Sequence, residues 1–344
     1  MFYIRADANE IIGTGHVMRC LSIAEELRRQ REKVIFLFAD DRTKNLIEEK
    51  NFEGICLNSV WNDLDKETSL MKQLIEKYDI EKLLIDSYYV TEHYLEELNK
   101  VTNVIYIDDM LAFPYPVQVL INYNIFATEE KYQQLYGDKY SDTQFLLGCK
   151  YAPLRQEFQD VKRVANDKIN SILISSGGTD TYNITGNFLC ALRTQKWFEE
   201  TDIHVIIGRF NKNKETLEKE WYNCKNVKLH YNIHNMSDYM KSCDIAVSAG
   251  GVTTYELCAC GIPTIMYTLA DNQLEIADIA SDMGLVHYAG DIREHMEDCL
   301  EIIISRIDVL RQDVELRRDI SIKMQQVVDG KGCLRLVKHM CVET

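Results

Sequence analysis

The sequence has little proline, no long apolar run and too few basic side chains for a polyanion-binding protein. Only four of its 344 residues are proline, which excludes rigid proline-rich linkers. Its apolar runs are far shorter than the roughly 20 residues that a membrane-spanning helix requires. The chain opens MFYIRADANE, with charges where a signal peptide has its apolar core. We therefore expect a cytoplasmic protein without membrane attachment.

The shortage of basic residues also restricts the partners. Lysine and arginine number 39 against 54 aspartates and glutamates, so the formal net charge is −15. Nucleic acids and anionic membranes are bound by basic surfaces, and we expect neither as a partner. A small phosphate-bearing ligand is still compatible with this charge, because helix N-termini can make one pocket locally positive.

Cysteine, in contrast, is abundant. The eleven cysteines are odd in number and lie mostly in apolar stretches, which favours reduced, buried thiols over a disulfide framework. Cys258 and Cys260 are two positions apart on a predicted helix, so they point to different faces and cannot jointly hold a metal ion. We expect no metal and no other cofactor.

Short apolar runs alternate with amphipathic helical patterns along the chain. Continuous apolar strands separated by helices predict parallel sheets that are covered on both faces. The runs fall into two series, the first with Phe2–Arg5, Val34–Ala39, Lys82–Ile85, Val104–Ile107 and Val119–Ile121, and the second with Ile172–Ser175, His204–Ile207, Val227–His230, Ile245–Ser248 and Thr264–Tyr267.

The two series predict two domains, in agreement with roughly 150 residues per domain. A polar stretch over 155–168 separates them. We therefore predict an α/β fold class with two doubly wound domains, over 1–155 and 156–344, on either side of a cleft. A single large α/β domain is the alternative.

A glycine-rich turn follows the first predicted strand and begins the first predicted helix. It reads IGTGHVMR over 12–19. Glycines allow the backbone to approach a ligand, and the following helix directs free N–H groups toward the turn. The spacing matches neither the GxGxxG fingerprint nor a P-loop. His16 at the helix start is expected to be neutral, which suits a general base. The alternative is a capping or core histidine.

Two further loops place paired glycines between a strand end and a helix start. They read SSGGTD over 175–180 and SAGGVTTYE over 248–256. Such loops are suitable seats for a diphosphate. Glu256, one turn into the helix, would either accept hydrogen bonds from ribose hydroxyls or lie at the surface and stabilise the helix start.

These motifs carry a resemblance to known families. The segment over 227–277, which contains NIHNM, SAGGVTTYE and ADNQLEIA, resembles the nucleotide-binding half of the MurG-family glycosyltransferases. The PseG family of UDP-2,4-diacetamido-2,4,6-trideoxy-β-L-altropyranose hydrolases is more similar still, on the strength of IRADANEIIGTGHVMRCLSIAEEL, LLIDSYYVT, YIDDM, LLGCKYAPLRQEF and SSGGTDTYNIT. The resemblance implies a GT-B fold, in which the last helix can return to the first domain.

The resemblance also implies roles for individual residues. His16 falls on the catalytic histidine, Tyr88 on a sugar-site tyrosine, Ile233 where uracil is held by backbone atoms, and Glu256 on the ribose ligand. With the loop residues, the predicted substrate-binding set is Gly13, Gly15, Arg19, Tyr88, Gly177, Gly178, Thr179, Ile233, Gly250, Gly251, Thr253, Glu256, Asn272 and Gln273.

The implied activity is hydrolysis of a UDP-amino sugar in pseudaminic acid biosynthesis. His16 would take a proton from the water that attacks the anomeric carbon, with inversion and release of UDP. Asp108 and Asp109 are adjacent and do not form a DxD pair, so we interpret them as structural and expect no metal dependence. The substrate is the only predicted partner, and a monomer is consistent with the sequence.

Four alternatives stay open at this point. Two are enzymes of similar chemistry, a MurG-like glycosyltransferase and a hydrolase of a related UDP-diacetamido sugar. The third is a UDP-N-acetylglucosamine 2-epimerase, which shares the fold. The fourth is a non-catalytic nucleotide-sugar binding module, in which His16 would have no chemical role.

Overall fold

The computed structural model describes residues 1–231, 233 and 235–341, and the chain divides into two compact units. Unit 1 extends from Met1 to Arg155 and also includes the segment that begins at Lys331. Unit 2 is Gln156–Gly330. Each unit has its own parallel sheet and its own buried core.

Unit 1 is built on a seven-stranded parallel sheet with the order β3-β2-β1-β4-β5-β6-β7. The central strands are continuous apolar runs because helices cover both of their faces. In chain order the strands are β1 (Phe2–Ala6), β2 (Val34–Phe38), β3 (Glu53–Cys56), β4 (Lys82–Asp86), β5 (Asn103–Ile107), β6 (Val119–Asn122) and β7 (Gln144–Leu147).

Five helices connect these strands. Two of them start at threonines, Thr91 and Thr128, whose side-chain oxygens accept the backbone N–H groups of Tyr94 and Lys131 and thereby cap the first turn. The helices are α1 (Gly15–Arg29), α2 (Lys44–Glu48), α3 (Thr68–Tyr78), α4 (Glu92–Asn99) and α5 (Glu129–Tyr136).

Unit 2 has a six-stranded parallel sheet with the order β10-β9-β8-β11-β12-β13. Its strands are β8 (Ser171–Ser175), β9 (Asp202–Ile206), β10 (Val227–His230), β11 (Ile245–Ala249), β12 (Thr264–Thr268) and β13 (Val286–Asp291). Its helices are α6 (Ile184–Leu192), α7 (Lys214–Trp221), α8 (Met236–Ser242), α9 (Val252–Cys260), α10 (Asp271–Asp282), α11 (Met296–Gln312) and α12 (Val314–Val327). The two sheets confirm the predicted class of two doubly wound, Rossmann-like domains.

Each sheet has a switch point, where the strand order reverses. In unit 1 it lies between β1 and β4, and in unit 2 between β8 and β11. Ligands of open α/β sheets bind outside the carboxyl ends of the strands at such points. The glycine-rich loops predicted as phosphate seats follow β1, β8 and β11, so the topology places all three at a switch point.

The apolar pattern does not predict β3, β7 and β13. Each lies at an edge of its sheet and pairs with a single neighbour. An edge strand has one open side and needs no continuous apolar run. Glu53 and Gly54 of β3, for example, are exposed. The missing predictions therefore follow from the position of these strands in the sheets.

The last helix, α13 (Gly332–Cys341), packs against α1 of unit 1. The predicted bounds of the second domain, 156–344, include this segment, with the last helix able to return to the first domain, and the structure groups the segment with unit 1. The reason is apolar burial, since Leu336 and Val337 are fully buried there. Lys82 of β4 also donates a hydrogen bond to the Met340 carbonyl at 2.7 Å.

None of the described helices combines the length and the apolar composition that a bilayer crossing requires. The eleven cysteines are free thiols, and Cys258 and Cys260 are both buried in α9.

We predict that α13 contributes substantially to the stability of unit 1. Leu336→Ala removes a fully buried side chain and should lower the free energy of unfolding by about 2–5 kcal/mol. The matched control is Leu334→Ala on the same helix, where the side chain is 43% exposed and the change should stay within about 0.5 kcal/mol. Denaturant unfolding curves measure both. Equal effects would contradict the assignment of α13 to the core of unit 1.

Candidate active site

His16 lies at the switch point of unit 1, in the first turn of α1. It is only 5% exposed. Its imidazole meets the ring of Tyr88 edge-on, with ring centroids 4.3 Å apart, and its Nε2 lies 4.0 Å from Oδ1 of Asp86. Asp86 is the last residue of β4, and Tyr88 follows two positions later. The neighbouring strands β1 and β4 thus bring the three side chains together.

The surroundings of His16 favour its neutral form. Burial lowers the pKa of His16 below the ordinary value of 6.5, and Arg19 lowers it further, while Asp86, Asp109 and Asp7 oppose the shift. The sequence predicts a neutral imidazole from the helix N-terminus, whereas desolvation is the largest cause in the structure. A neutral imidazole can accept a proton near physiological pH.

Arg19 lies one turn further along α1 and is buried with every guanidinium nitrogen engaged. Its Nε and Nη2 donate to the two carboxylate oxygens of Asp86 at 2.6 and 2.5 Å. Its Nη1 donates to the Tyr123 hydroxyl at 2.6 Å and lies 2.7 Å from Oδ2 of Asp109. Arg19, a predicted substrate-binding residue, is therefore held in place by three side chains of unit 1.

A second buried guanidinium supports the end of β1. Arg5 donates to Asp7 at 2.5 Å and to both oxygens of Glu67 at 2.7 and 3.1 Å. Glu67 also accepts hydrogen bonds from the hydroxyls of Tyr94 and Ser59, at 3.0 and 2.5 Å. These bonds anchor the chain on either side of the switch point.

The adjacent aspartates after β5 have different surroundings. Asp108 accepts hydrogen bonds from the hydroxyls of Tyr115, at 2.8 Å, and Tyr132, which agrees with a structural role. Asp109 faces Arg19 and accepts a hydrogen bond from Nδ2 of Asn124 at 2.8 Å. Asp109 therefore belongs to the environment of His16.

In unit 2, the loop after β8 is held by close backbone contacts. Gly177 has a positive φ of 76°. The backbone of Gly208 approaches so closely that a Cβ there would lie 2.3 Å from the Gly177 carbonyl oxygen. Asp180 ends the loop and accepts the backbone N–H of Ile184 at 2.8 Å, at the start of α6. Gly177 and Gly178 are exposed, and Thr179 is half-buried.

The loop after β11 begins α9 and contacts the start of α10. Gly251 has a φ of 118°, which only glycine adopts without strain. The side chain of Gln273 packs against Gly250, where an added Cβ would lie 3.2 Å from Gln273 Cβ. Gln273 Oε1 accepts the backbone N–H of Leu269 at 2.8 Å. The Gly250–Gly251 loop and the predicted pair Asn272 and Gln273 are therefore neighbours.

The other predicted residues of unit 2 follow the carboxyl ends of strands in the same sheet. Thr253 and Glu256 are half-buried in the first turns of α9, and Asn272 is exposed. Ile233 is half-buried and follows β10. This strand is the outermost strand of the sheet, two positions from β8. In unit 1, Gly13 and Gly15 flank the turn before His16, and Gly13 has a φ of 73°.

The prediction missed two residues, Asp86 and Asp109. Asp86 lies within the LLIDSYYVT segment, directly after an apolar strand, and that position is a usable signal. Asp109 is interpreted as structural in the sequence because it is adjacent to Asp108 and forms no DxD pair, and its partner Arg19 lies 90 positions earlier, on another element. Within the described ranges, no group of three or more His, Cys, Asp and Glu side chains is placed to hold a metal ion.

Residues 171–306 match the glycosyltransferase family 28 C-terminal domain. This stretch begins at β8 and includes the Gly177–Gly178 and Gly250–Gly251 loops. The match therefore covers 136 of the 344 residues and contains all the predicted nucleotide-binding residues of unit 2.

Three relatives are similar beyond this stretch. An uncharacterised protein of Methanocaldococcus jannaschii is 28% identical over 284 residues, which are 79% of this chain and 56% of that protein. The chain thus spans little more than half of this relative. The spore coat polysaccharide biosynthesis protein SpsG of Bacillus subtilis is 22% identical over 97% of this chain and 95% of its own length.

The third relative is the UDP-2,4-diacetamido-2,4,6-trideoxy-β-L-altropyranose hydrolase of Campylobacter jejuni. It is 27% identical over 237 residues, which are 68% of this chain and 77% of the hydrolase.

Solved structures agree on the fold. MurG of Acinetobacter baumannii has a TM-score of 0.68 at 15% identity, with 98% of both chains covered. S. aureus MnaA, solved with UDP, has a TM-score of 0.67 at 12% identity, with 98% of this chain and 95% of that chain covered. These similarities identify the fold as GT-B.

We predict that Arg19 is essential for the stability of the site in unit 1. Arg19→Met leaves Asp86 and Asp109 without their cation and should cost about 3–5 kcal/mol at neutral pH. The control is Arg42→Met, which breaks the ion pair between Arg42 and Asp40. The Arg42 side chain is 41% exposed, so this substitution should lower the free energy of unfolding by less than about 1 kcal/mol. Denaturant unfolding measures both. An Arg19→Met protein as stable as the control would contradict the prediction.

Proposed function

We propose that this chain hydrolyses a UDP-amino sugar and that His16 is the base that activates water. The observation that carries the proposal is a buried imidazole at the switch point of unit 1, with its pKa lowered and a carboxylate 4.0 Å away. General bases in enzymes are commonly tuned by burial and by neighbouring charges. The similarity to the Campylobacter hydrolase supports the same reaction class.

Unit 2 supports the proposal with two loops suited to a diphosphate. The Gly250–Gly251 loop precedes the N-terminus of α9, where backbone N–H groups and the helix dipole favour an anion. Gly177 and Gly178 are exposed beside the neighbouring strand. Glu256 in α9 would accept hydrogen bonds from the ribose hydroxyls of UDP. The backbone at Ile233 would hold the uracil ring.

The proposed reaction needs one proton acceptor. Water attacks the anomeric carbon while His16 takes one of its protons, and a bond forms between the water oxygen and that carbon. The bond from the anomeric carbon to the UDP oxygen breaks on the opposite face, so the configuration inverts. UDP leaves as an anion without protonation, and the helix N-termini stabilise the charge on its diphosphate. No general acid is needed, unlike in most inverting glycosidases.

The substrate we propose is UDP-2,4-diacetamido-2,4,6-trideoxy-β-L-altropyranose, which yields 2,4-diacetamido-2,4,6-trideoxy-L-altrose for pseudaminic acid synthesis. The support is that the Campylobacter relative is a hydrolase of this UDP-sugar, together with the resemblance of the Gly-Thr-Gly-His turn of this chain to the PseG family. A related UDP-diacetamido sugar would suit the same machinery, since the leaving group and the base are unchanged.

A second candidate is a glycosyltransferase that uses the same site. The specific observation in its favour is the match of 171–306 to the glycosyltransferase family 28 domain. In that case a hydroxyl group of an acceptor would replace water, and His16 would deprotonate it. The two candidates differ in one measurable property, because only the hydrolase turns over without an acceptor.

A UDP-sugar panel without acceptor tests the proposal. We expect release of UDP and free sugar, with the inverted anomer first in the NMR spectrum, and unchanged turnover in excess EDTA. His16→Ala should lower kcat by roughly 10²–10⁴-fold because the base is lost. His93→Ala, which changes an exposed histidine of unit 1, is the matched control.

The outcomes separate the candidates. Turnover that requires an acceptor identifies the glycosyltransferase, and binding without turnover under either condition identifies a binding module. Near-native turnover in His16→Ala would reject the base role. Loss of turnover in EDTA would reject metal independence.

The pH profile provides a separate prediction. His16 must be neutral to accept a proton, and its pKa is lowered from 6.5, chiefly by burial. Activity should therefore be flat through neutral pH and should fall only below pH 6.5, as the imidazole becomes protonated. The acidic limb of kcat/KM against pH measures this. A limb centred above pH 6.5 would contradict a buried His16 as the base.

A further inference from the structure

The buried charges beside His16 do not balance. Arg19 carries one positive charge, and the carboxylates of Asp86 and Asp109 carry one negative charge each when ionised. The three side chains are almost inaccessible to water, with exposures of 3% for Arg19, 0% for Asp86 and 8% for Asp109. The cluster therefore has a formal charge of −1 in a site that solvent screens poorly.

The two carboxylates are held in different ways. Asp86 uses both oxygens to bind Arg19, in a bidentate pair at 2.5 and 2.6 Å. Asp109 has one contact with the guanidinium, at 2.7 Å, and one neutral partner, Asn124. One carboxylate is enough to neutralise Arg19, so Asp109 provides the excess negative charge.

An unbalanced buried charge is costly unless another charge compensates it. His16 is the nearby group that acquires a positive charge if it takes a proton from water. We propose that Asp109 is a positioning residue that acts through His16, because its excess charge stabilises the imidazolium formed when His16 accepts a proton. This inference rests on the proposed function, in which His16 is the base.

Other groups also face His16. Asp7, after β1, shares Arg5 with Glu67, and its negative charge favours the imidazolium in the same direction as Asp109 but more weakly. Burial raises the pKa of the Tyr123 hydroxyl and of the Cys20 thiol, so both groups are neutral near physiological pH. Tyr88 contributes the edge contact of its ring.

Asp109→Asn removes the charge and keeps the size of the side chain. The amide oxygen can still accept a hydrogen bond from Arg19, and Asp109→Ser is a second neutral variant with a smaller side chain. Asp109→Glu keeps the charge. Asp63→Asn is the matched control, because it removes a carboxylate that is 39% exposed on the surface of unit 1.

The experiment is an NMR titration of the His16 imidazole in the full-length protein without substrate, assigned by comparison with His16→Ala. The pKa of His16 should fall by about one unit in Asp109→Asn and Asp109→Ser, because a nearby negative charge favours the imidazolium. Asp109→Glu should restore most of the shift, and Asp63→Asn should leave the pKa unchanged. Near-UV circular dichroism checks that each variant is folded.

Kinetics on the UDP-sugar provide the second readout. In Asp109→Asn, the acidic limb of kcat should move to lower pH by the same amount, and kcat above that limb should fall by about three- to tenfold, because a weaker base accepts the proton less readily. A folded neutral variant with an unchanged His16 pKa would overturn the proposal. Loss of the native fold in both neutral variants would also overturn it, because the carboxylate would then be structural.

The titration needs no turnover, so the two proposals can fail separately. If the pKa shifts as expected but no UDP-sugar is hydrolysed, the proposed function is wrong, and with it the catalytic use of the charge. If hydrolysis depends on His16 but the pKa is insensitive to Asp109, the proposed function stands and the role of Asp109 is rejected.

Discussion

The bidentate ion pair between Arg19 and Asp86 determines the local structure of the candidate site in unit 1. It joins α1 to the end of β4, and the same guanidinium reaches Asp109 after β5 and Tyr123 after β6. Charge-assisted bidentate bonds are both strong and directional. His16 precedes Arg19 by one turn of the same helix, so the orientation of the imidazole depends on this anchor.

Unit 2 follows a different principle. Its predicted ligand-facing positions include the four glycines of two loops, together with side chains of α9 and of the start of α10. A diphosphate site of this kind needs few lysines or arginines, because the helix N-terminus provides the positive potential. A protein with a net charge of −15 can therefore hold an anionic ligand without a basic surface.

The sequence predicted much of the fold because buried parallel strands require continuous apolar runs. β1, β4, β8 and β11, which flank the switch points, were all visible in this way, and the glycine-rich turns after three of them were visible as well. The edge strand β3 was not, since Glu53 and Gly54 face solvent. The charge cluster was also hidden, because Arg19, Asp86 and Asp109 meet only after the sheet forms. No local spacing indicates which carboxylate is in excess.

The cysteines illustrate how packing controls the chemistry of a residue. Cys20 lies beside the candidate base, with its Sγ 3.4 Å from Oδ2 of Asp86, but burial raises the pKa of its thiol well above the ordinary value. A thiol of this kind resists alkylation and oxidation, because only the thiolate is strongly nucleophilic. Cys190 on α6 is the one cysteine of the described chain that is exposed. A thiol-directed fluorophore would therefore label unit 2 at Cys190 first and leave the surroundings of His16 unmodified, without any cysteine having to be replaced.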